Sequence, residues 1–222
     1  MTAPTVSRCA TPDEAVQRAA DVLAAAIDGS RTIHGHAHIA LSGGSAARAY
    51  DLLGPMLPDW RDVHLWYGDE RCVPLDDEES NHRLVTEHLE APEATWHPVR
   101  TELSPEEAAA AYSEELDGIT LDVAFNGMGP DGHTASLFPG FPQLHADGIC
   151  VAVHNSPKPP PDRVTLTLPE LNAARRIVLF VTGAEKAPML ARLLAGPDEA
   201  VPASLLDRER LEIIADAAAL DG

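Results

Sequence analysis

Lysine is nearly absent from this chain. Of its 16 basic residues only Lys158 and Lys186 are lysines, and each lies in or beside a segment that reads as a loop. A surface that relied on lysine for solubility would scatter many, so these two are candidates for a local task. Cysteine is scarce as well. Cys9, Cys72 and Cys150 are far apart and none sits in a C-x-x-C pair, which argues against a disulfide framework and against a cysteine-rich zinc site. No apolar run approaches the length of a bilayer span. Met1–Arg8 has no apolar core after a basic start, so nothing reads as a signal peptide, and the expected location is the cytoplasm. Net positive charge is missing too. A formal charge of −19 argues against nucleic acid or an anionic membrane as partner. It leaves room for a small anionic substrate, which needs only a local basic cluster. The three tryptophans, Trp60, Trp66 and Trp96, and the few tyrosines read as core or rim, not as a stacking platform for bases.

What is present fits a soluble enzyme: 222 residues can bury a full core without staples. Thr5–Arg8 reads as an edge strand. Thr11-Pro12-Asp13-Glu14 starts a helix with Thr as N-cap, whose stripe is Val16, Ala19, Ala20, Leu23 and Ile27 and whose stop is Gly29. Strands are expected at His38–Leu41, Val63–Tyr67, Leu121–Phe125, Ile149–Val153, Ile177–Val181 and Leu211–Ile214. Helices are expected over Ala46–Leu53, stopped at Gly54-Pro55, over Ser80–Leu89, from Ser104 to about Gly118, and over Ala184–Leu194. The segment from Asn155 to Asp162 holds four prolines and cannot be helix or central strand. Strands alternate with helices and are mostly continuous apolar runs, the pattern of a parallel sheet covered on both faces. One three-layer α/β domain over residues 1–222 is the expectation. In such a sheet the loops after the strands' carboxyl ends meet at one edge.

Three such loops carry chemistry. Asn126-Gly127-Met128-Gly129-Pro130-Asp131-Gly132 places three glycines within six residues and delivers His133. Glycines after a strand let backbone amides approach a ligand, and histidine suits proton transfer near neutrality. The alternative is a tight turn with a solvent histidine. Ser42-Gly43-Gly44-Ser45 can aim amides and two hydroxyls at a phosphate at a helix start, although it lacks the dinucleotide and P-loop patterns. A glycine turn without a ligand is the plain reading. In Asp69-Glu70-Arg71, Arg71 has donors for a phosphate or carboxylate. Asp69 or Glu70 would orient a histidine or accept a sugar hydroxyl, or one acid would only brace the loop. Lys158 sits in a proline-stiffened segment with Arg163 beyond it, and Lys186 near a helix start is oddly placed unless an anion is nearby. His34, His36 and His38 form H-x-H-x-H, but without an acidic partner at fixed spacing no metal site is expected.

Leu41–Tyr50 (LSGGSAARAY), Trp66–Asn81 (WYGDERCVPLDDEESN), Asp122–Gly140 (DVAFNGMGPDGHTASLFPG), Ser156–Leu168 (SPKPPPDRVTLTL) and Val181–Lys186 (VTGAEK) together resemble the 6-phosphogluconolactonase family of the pentose phosphate pathway. The order of the segments is kept over nearly the whole chain. The resemblance implies a Rossmann-like sandwich shared with glucosamine-6-phosphate deaminases and ribose-5-phosphate isomerases. It implies cofactor-free, metal-independent hydrolysis of 6-phospho-D-glucono-1,5-lactone; separately, a monomer or weak homodimer is expected. By that resemblance His133 is the general base, with Asp69, Arg71 and Asp131 in the catalytic set. Ser42, Gly43, Gly44, Ser45, Arg71, Arg163 and Lys186 are candidates for phosphate or lactone-oxygen contacts, Lys158 is a substrate-side cation, and Asn126 and Gly129 are further candidate contacts. The deaminase relatives read D-E-Y where this chain has Asp69-Glu70-Arg71, which favours the lactonase branch. The chain departs from the family at Asn126, usually leucine, and at Ala46-Ala47, usually threonine-proline. Two other classes stay open. One is an isomerase or deaminase with Asp69 as carbon base, and the other is a non-catalytic sugar-phosphate sensor.

Overall fold

A computed structural model describes residues 2–222. Its main sheet has seven strands in the order β1-β10-β9-β6-β2-β3-β5, and every pairing in it is parallel. The strands are β1 (Thr5–Cys9), β2 (Ala37–Leu41), β3 (Val63–Tyr67), β5 (Thr95–Trp96), β6 (Val123–Gly127), β9 (Arg176–Val181) and β10 (Leu211–Asp216). Their side chains alternate between two cores, as a pleated strand buried on both faces requires. Ile39, Leu41, Leu65, Tyr67, Phe125, Phe180 and Ile214 enter one core. Ala40, Trp66, Ala124, Leu179, Ile213 and Ala215 enter the other. Helix α1 (Pro12–His34) covers the first face together with α2 (Tyr50–Met56) and α3 (Asn81–His88), while α4 (Pro105–Leu116) and α6 (Ala187–Ala195) cover the second. The short helices α5 (Leu168–Ala173) and α7 (Ala217–Asp221) complete the helical set. The result is the expected three-layer α/β sandwich with a mostly parallel central sheet. Among the described residues no helix is long and apolar enough to cross a membrane.

Several expected boundaries move. Thr11 caps α1, its side chain accepting from the Glu14 amide. The helix nevertheless runs through Gly29 to His34 and ends at Gly35, where φ is 79°. An interior glycine costs only about 1 kcal/mol, and a helix stop needs a residue that enters the left-handed region, which Gly35 supplies. The helix expected over Ala46–Leu53 begins as a 3-10 turn, Gly44–Ala49, and becomes α2, which carries Pro55 in its last turn. The strand expected at Leu121–Phe125 begins two residues later, because the Asp122 carboxylate turns back to accept from the His38 amide at 2.8 Å. Ser104 and Glu107 form the capping box that opens α4.

The larger correction is a second sheet. Asp69–Arg71, expected as loop, is strand β4, and it pairs antiparallel with β8 (Arg163–Leu166), which pairs in turn with β7 (Cys150–Val153). The register sets Asp69 opposite Thr165 and Arg71 opposite Arg163. Three charged residues have poor strand propensity, so this strand exists through its distant partner. The consequence is positional: the small sheet carries Asp69, Arg71 and Arg163 on one rigid ribbon beside the carboxyl ends of β2 and β6.

Candidate active site

The chain leaves β2 toward β3 on one side and leaves β6 toward β9 on the other. The gap between β2 and β6 is therefore a topological switch point, where open α/β sheets bind ligands. Ser42 follows β2 and the glycine loop follows β6, so the two meet there. A cleft of about 260 Å³ opens at this edge. It is lined by Ser42, Gly43, Gly44 and Ser45 on one side, by Gly129 and His133 on another, and by Asp69, Arg71, Lys158, Arg163 and Lys186 around the rim. Four cations thus converge on one cleft in a chain of formal charge −19.

His133 is held by its neighbour two residues back. Its Nδ1 lies 2.5 Å from Asp131 Oδ1. Burial pushes the Asp131 carboxyl up, but the hydrogen bond to His133 and the charges of His133 and Lys158 outweigh it and hold Asp131 below the ordinary carboxylate range. An ionised carboxylate only accepts, so Nδ1 carries a proton and donates it, and in the ring's neutral form the lone pair then lies on Nε2. Asp131, and neither Asp69 nor Glu70, is the acid that orients the histidine. The ring packs on Phe138 at 4.8 Å between centroids, and the Arg163 guanidinium lies 5.7 Å from the same phenyl ring on its own account. Gly129 makes the room: a Cβ there would lie 2.1 Å from His133 Nδ1.

Glu70 is the brace. It is fully buried and accepts from the backbone amides of Arg71, Asn81 and His82, each at 2.7 Å, and from Ser80 Oγ at 3.2 Å. Two of these amides open α3, where a carboxylate is favoured by the helix field. Burial nonetheless pushes its carboxyl up overall. Both oxygens of Asp69 are occupied, Oδ2 accepting from Ser136 Oγ at 2.6 Å and Oδ1 from Asn81 Nδ2 at 3.2 Å.

Arg163 is only 4% exposed, and its donors are largely committed. Nη2 bonds the carbonyls of Lys158 and Pro159 at 3.0 and 3.2 Å, Nε bonds that of Pro160 at 3.2 Å, and Nη1 reaches Ser136 Oγ at 3.4 Å. A run of prolines has carbonyls but no N–H groups, so this guanidinium is what folds the segment and presents Lys158. Lys158 Nζ stands 3.9 Å from Asp131. Burial, aided by the nearby Lys158 and opposed by Glu185, pushes Lys186 below the ordinary lysine range, so a bound anion would restore its charge. Arg71 donates from Nη1 to the Glu79 carbonyl at 2.5 Å, and its buried Nε–H has no partner among the described residues.

The Ser42–Ser45 loop is tied down by Tyr50, whose hydroxyl accepts from Ser42 N at 3.0 Å and donates to Ser42 O at 2.8 Å. Gly44, at φ 65°, makes the turn. Ala46 and Ala47 are buried under the loop, so packing stands where the family usually has a threonine-proline pair. Asn126 does not line the cleft; its amide donates back to the Ala124 carbonyl at 3.1 Å. Asn81, Ser136 and Tyr50 are the members of this network that the sequence did not single out. The only signal lay in their presence inside three of the resembling segments. The H-x-H-x-H residues sit at the opposite end of the sheet, and among the described residues no three His, Cys, Asp or Glu side chains are placed to hold a metal.

The chain is 44% identical over 155 residues to a human 6-phosphogluconolactonase, a match spanning 64% of this chain and 60% of the human protein. It is 37% identical over 214 residues to 6-phosphogluconolactonase of Mycobacterium bovis, covering 86% and 87% of the two chains. A crystal structure of a 6-phosphogluconolactonase from Shewanella baltica superimposes with a TM-score of 0.87 at 29% identity over 96% of this chain and 98% of that one. The family model "Glucosamine-6-phosphate isomerases/6-phosphogluconolactonase" matches residues 10–215, and with that span and these relatives the chain belongs to this enzyme family.

Proposed function

We propose that the chain hydrolyses 6-phospho-D-glucono-1,5-lactone to 6-phospho-D-gluconate, residues 1–222 acting as one unit and His133 serving as general base. The observation that carries this reading is the Asp131–His133 pair, with Nε2 free, facing the same cleft as the Ser42–Ser45 amides and the four cations. The amides and hydroxyls of Ser42–Ser45, with the start of the following helical turn, take the phosphate. Binding energy from that distant group places C1 of the lactone against a water beside His133. Nε2 removes the water's proton as it attacks the carbonyl, a contribution of about 10²–10⁴-fold. Negative charge on the carbonyl oxygen meets Lys186, Lys158 or the unpaired Arg71 Nε–H. The ring C–O bond then breaks, and the leaving oxygen takes up the proton from the imidazolium. The step needs no cofactor and no covalent intermediate.

Asp69 as carbon base of an isomerase or deaminase is disfavoured by its own geometry, since Ser136 and Asn81 occupy its two oxygens. The deciding experiment is lactone hydrolysis by purified parent and His133→Ala, each corrected for spontaneous decay. A variant as fast as its parent would sink the base assignment. A parent that leaves decay unaccelerated, yet binds 6-phosphogluconate, would turn the reading into that of a sensor.

A further inference from the structure

Gly43 has φ −81° and ψ −159°, extended backbone that any L-residue adopts. Its conformation therefore does not call for glycine. Its surroundings do. A Cβ at this position would lie 2.1 Å from Asn81 Oδ1 and 2.8 Å from Asn81 Cγ, and the three nearest heavy atoms to it all belong to Asn81. Asn81 has little freedom to step aside. Its Nδ2 donates to Asp69 O at 2.9 Å and to Asp69 Oδ1 at 3.2 Å, and its backbone N–H donates to Glu70 Oε1 at 2.7 Å. Both partners of Nδ2 are acceptors only, which fixes the orientation of the amide and turns Oδ1 toward Gly43. That oxygen is buried and accepts no hydrogen bond among the described residues. Its contact with Gly43 is one of close packing.

We propose that Asn81 is a positioning residue: it seats the anion-binding loop Ser42–Ser45 against strand β4, and position 43 is glycine in order to admit it. Tyr50 holds Ser42 from one side, and Gly44 turns the chain away at φ 65°. Between these two points Asn81 is what meets the loop. One side chain, anchored on Asp69 and Glu70, thereby sets the separation between the loop amides and the cations carried by the β4–β8 ribbon. The inference rests on the reading of this loop as the phosphate half of a lactonase site.

The test is a double-mutant cycle on the full chain: parent, Gly43→Ala, Asn81→Ala and the double variant. Two quantities are read, the urea midpoint, which needs no ligand, and the Kd for 6-phosphogluconate by calorimetry, with KM and kcat for the lactone alongside. Gly43→Ala pushes Asn81 off Asp69, so it lowers the midpoint and weakens binding by more than about tenfold. Asn81→Ala alone weakens binding by about threefold to tenfold and raises KM, with kcat held within about threefold. In the double variant the clash is gone. It binds more tightly than Gly43→Ala alone, and removing Asn81 costs less midpoint there than in the parent. Losses in Kd that simply multiply would overturn the proposal, as would an Asn81→Ala protein with the parent's Kd. If Asn81→Ala does not fold, Asn81→Ser takes its place, since its hydroxyl still reaches toward Asp69 and leaves the space at Gly43 open. A parent without lactonase activity but with coupled midpoints would reject the functional reading and retain the contact. Additive midpoints in an active parent would reject the contact alone.

Discussion

The two ends of the parallel sheet hold histidines in opposite ways. At the carboxyl end, His133 stands singly against an ionised carboxylate that dictates which nitrogen is protonated. At the amino end, His38 of β2 and His64 of β3 are in register and their rings stack at 4.4 Å, and His64 Nδ1 lies 3.0 Å from His97 Nε2. His97 stacks on Trp66 at 3.7 Å, and the Trp66 indole donates to His38 Nδ1 at 3.1 Å. Burial, first of all, lowers the pKa of all three, and neighbouring imidazoles add to it. The same side chain is thus oriented by a carboxylate at one end and kept from taking a proton at the other. The difference lies in the partner: a lone anion beside His133, aromatic rings and other imidazoles around His38.

The largest effect expected from this contrast is at His133. His133→Ala lowers kcat by about 10²–10⁴-fold, whereas His64→Gln, at the far end, leaves kcat within about twofold, both read by stopped assays of lactone hydrolysis. Equal losses from the two would erase the distinction. Next is Asp131→Asn. The amide keeps the shape but can donate to Nδ1, which lets the ring place its proton on Nε2 and removes the base. A fall of about 10²-fold in kcat with little change in KM is expected. Unchanged kcat would mean that Asp131 serves the loop and not the imidazole.

Much of this arrangement was legible in the sequence where a local rule sufficed. β3 lies where its apolar run put it, and Ser104 and Thr11 cap helices as their spacing required. His133, Lys158 and Lys186 were visible as chemistry-bearing residues beside glycines and prolines. What stayed hidden was decided by non-local contacts. Three charged residues become β4 only because Arg163–Leu166 lies alongside. Arg163 reads as a free cation in sequence, yet three consecutive carbonyls of the proline segment enclose it. Asn81 looks like one more polar residue at the end of an acidic loop. Its meaning appears only when Asp69 and Gly43 come together around it. Gly29 taught the converse lesson: a local stop signal gave way to a helix that found a better one at Gly35.

The amino-end histidines make a stability prediction of intermediate size. His38 is lowered from 6.5 to about 4, so the folded form holds the proton less well than the unfolded chain does. Its contribution is fully present above pH 6.5 and is lost as pH falls from there toward 4. Between pH 7 and pH 4.5 the loss is about 2 kcal/mol. His64 and His97 act in the same direction, partly opposed by Asp62 and Glu115, as Asp122 partly opposes the shift of His38. In His38→Asn the amide oxygen takes the place of Nδ1 as acceptor for the Trp66 indole but cannot be protonated. Urea midpoints of parent and variant, compared at pH 7 and pH 4.5, should show a smaller acid loss in the variant. Parallel losses would mean that the imidazoles at this end are not kept neutral by the fold.

The smallest effect separates charge from hydrogen bonding at the carboxyl end. Lys158 is 43% exposed in its side chain and 3.9 Å from Asp131, a separation that gives Coulomb attraction without a hydrogen bond. An exposed cation of this kind contributes about 1 kcal/mol or less. Lys158→Ala should therefore raise KM for the lactone by about threefold to fivefold, with kcat within about twofold, and the difference should shrink in 0.5 M salt, where the screening length is only about 4 Å. His133 keeps its proton on Nδ1 in this variant, because the bond to Asp131 does not pass through the lysine. A kcat that falls with KM unchanged would place Lys158 instead at the developing oxyanion. It would also show that the carboxyl end works by a cation and a base acting together in the transition state, and not by a base alone beside a binding rim.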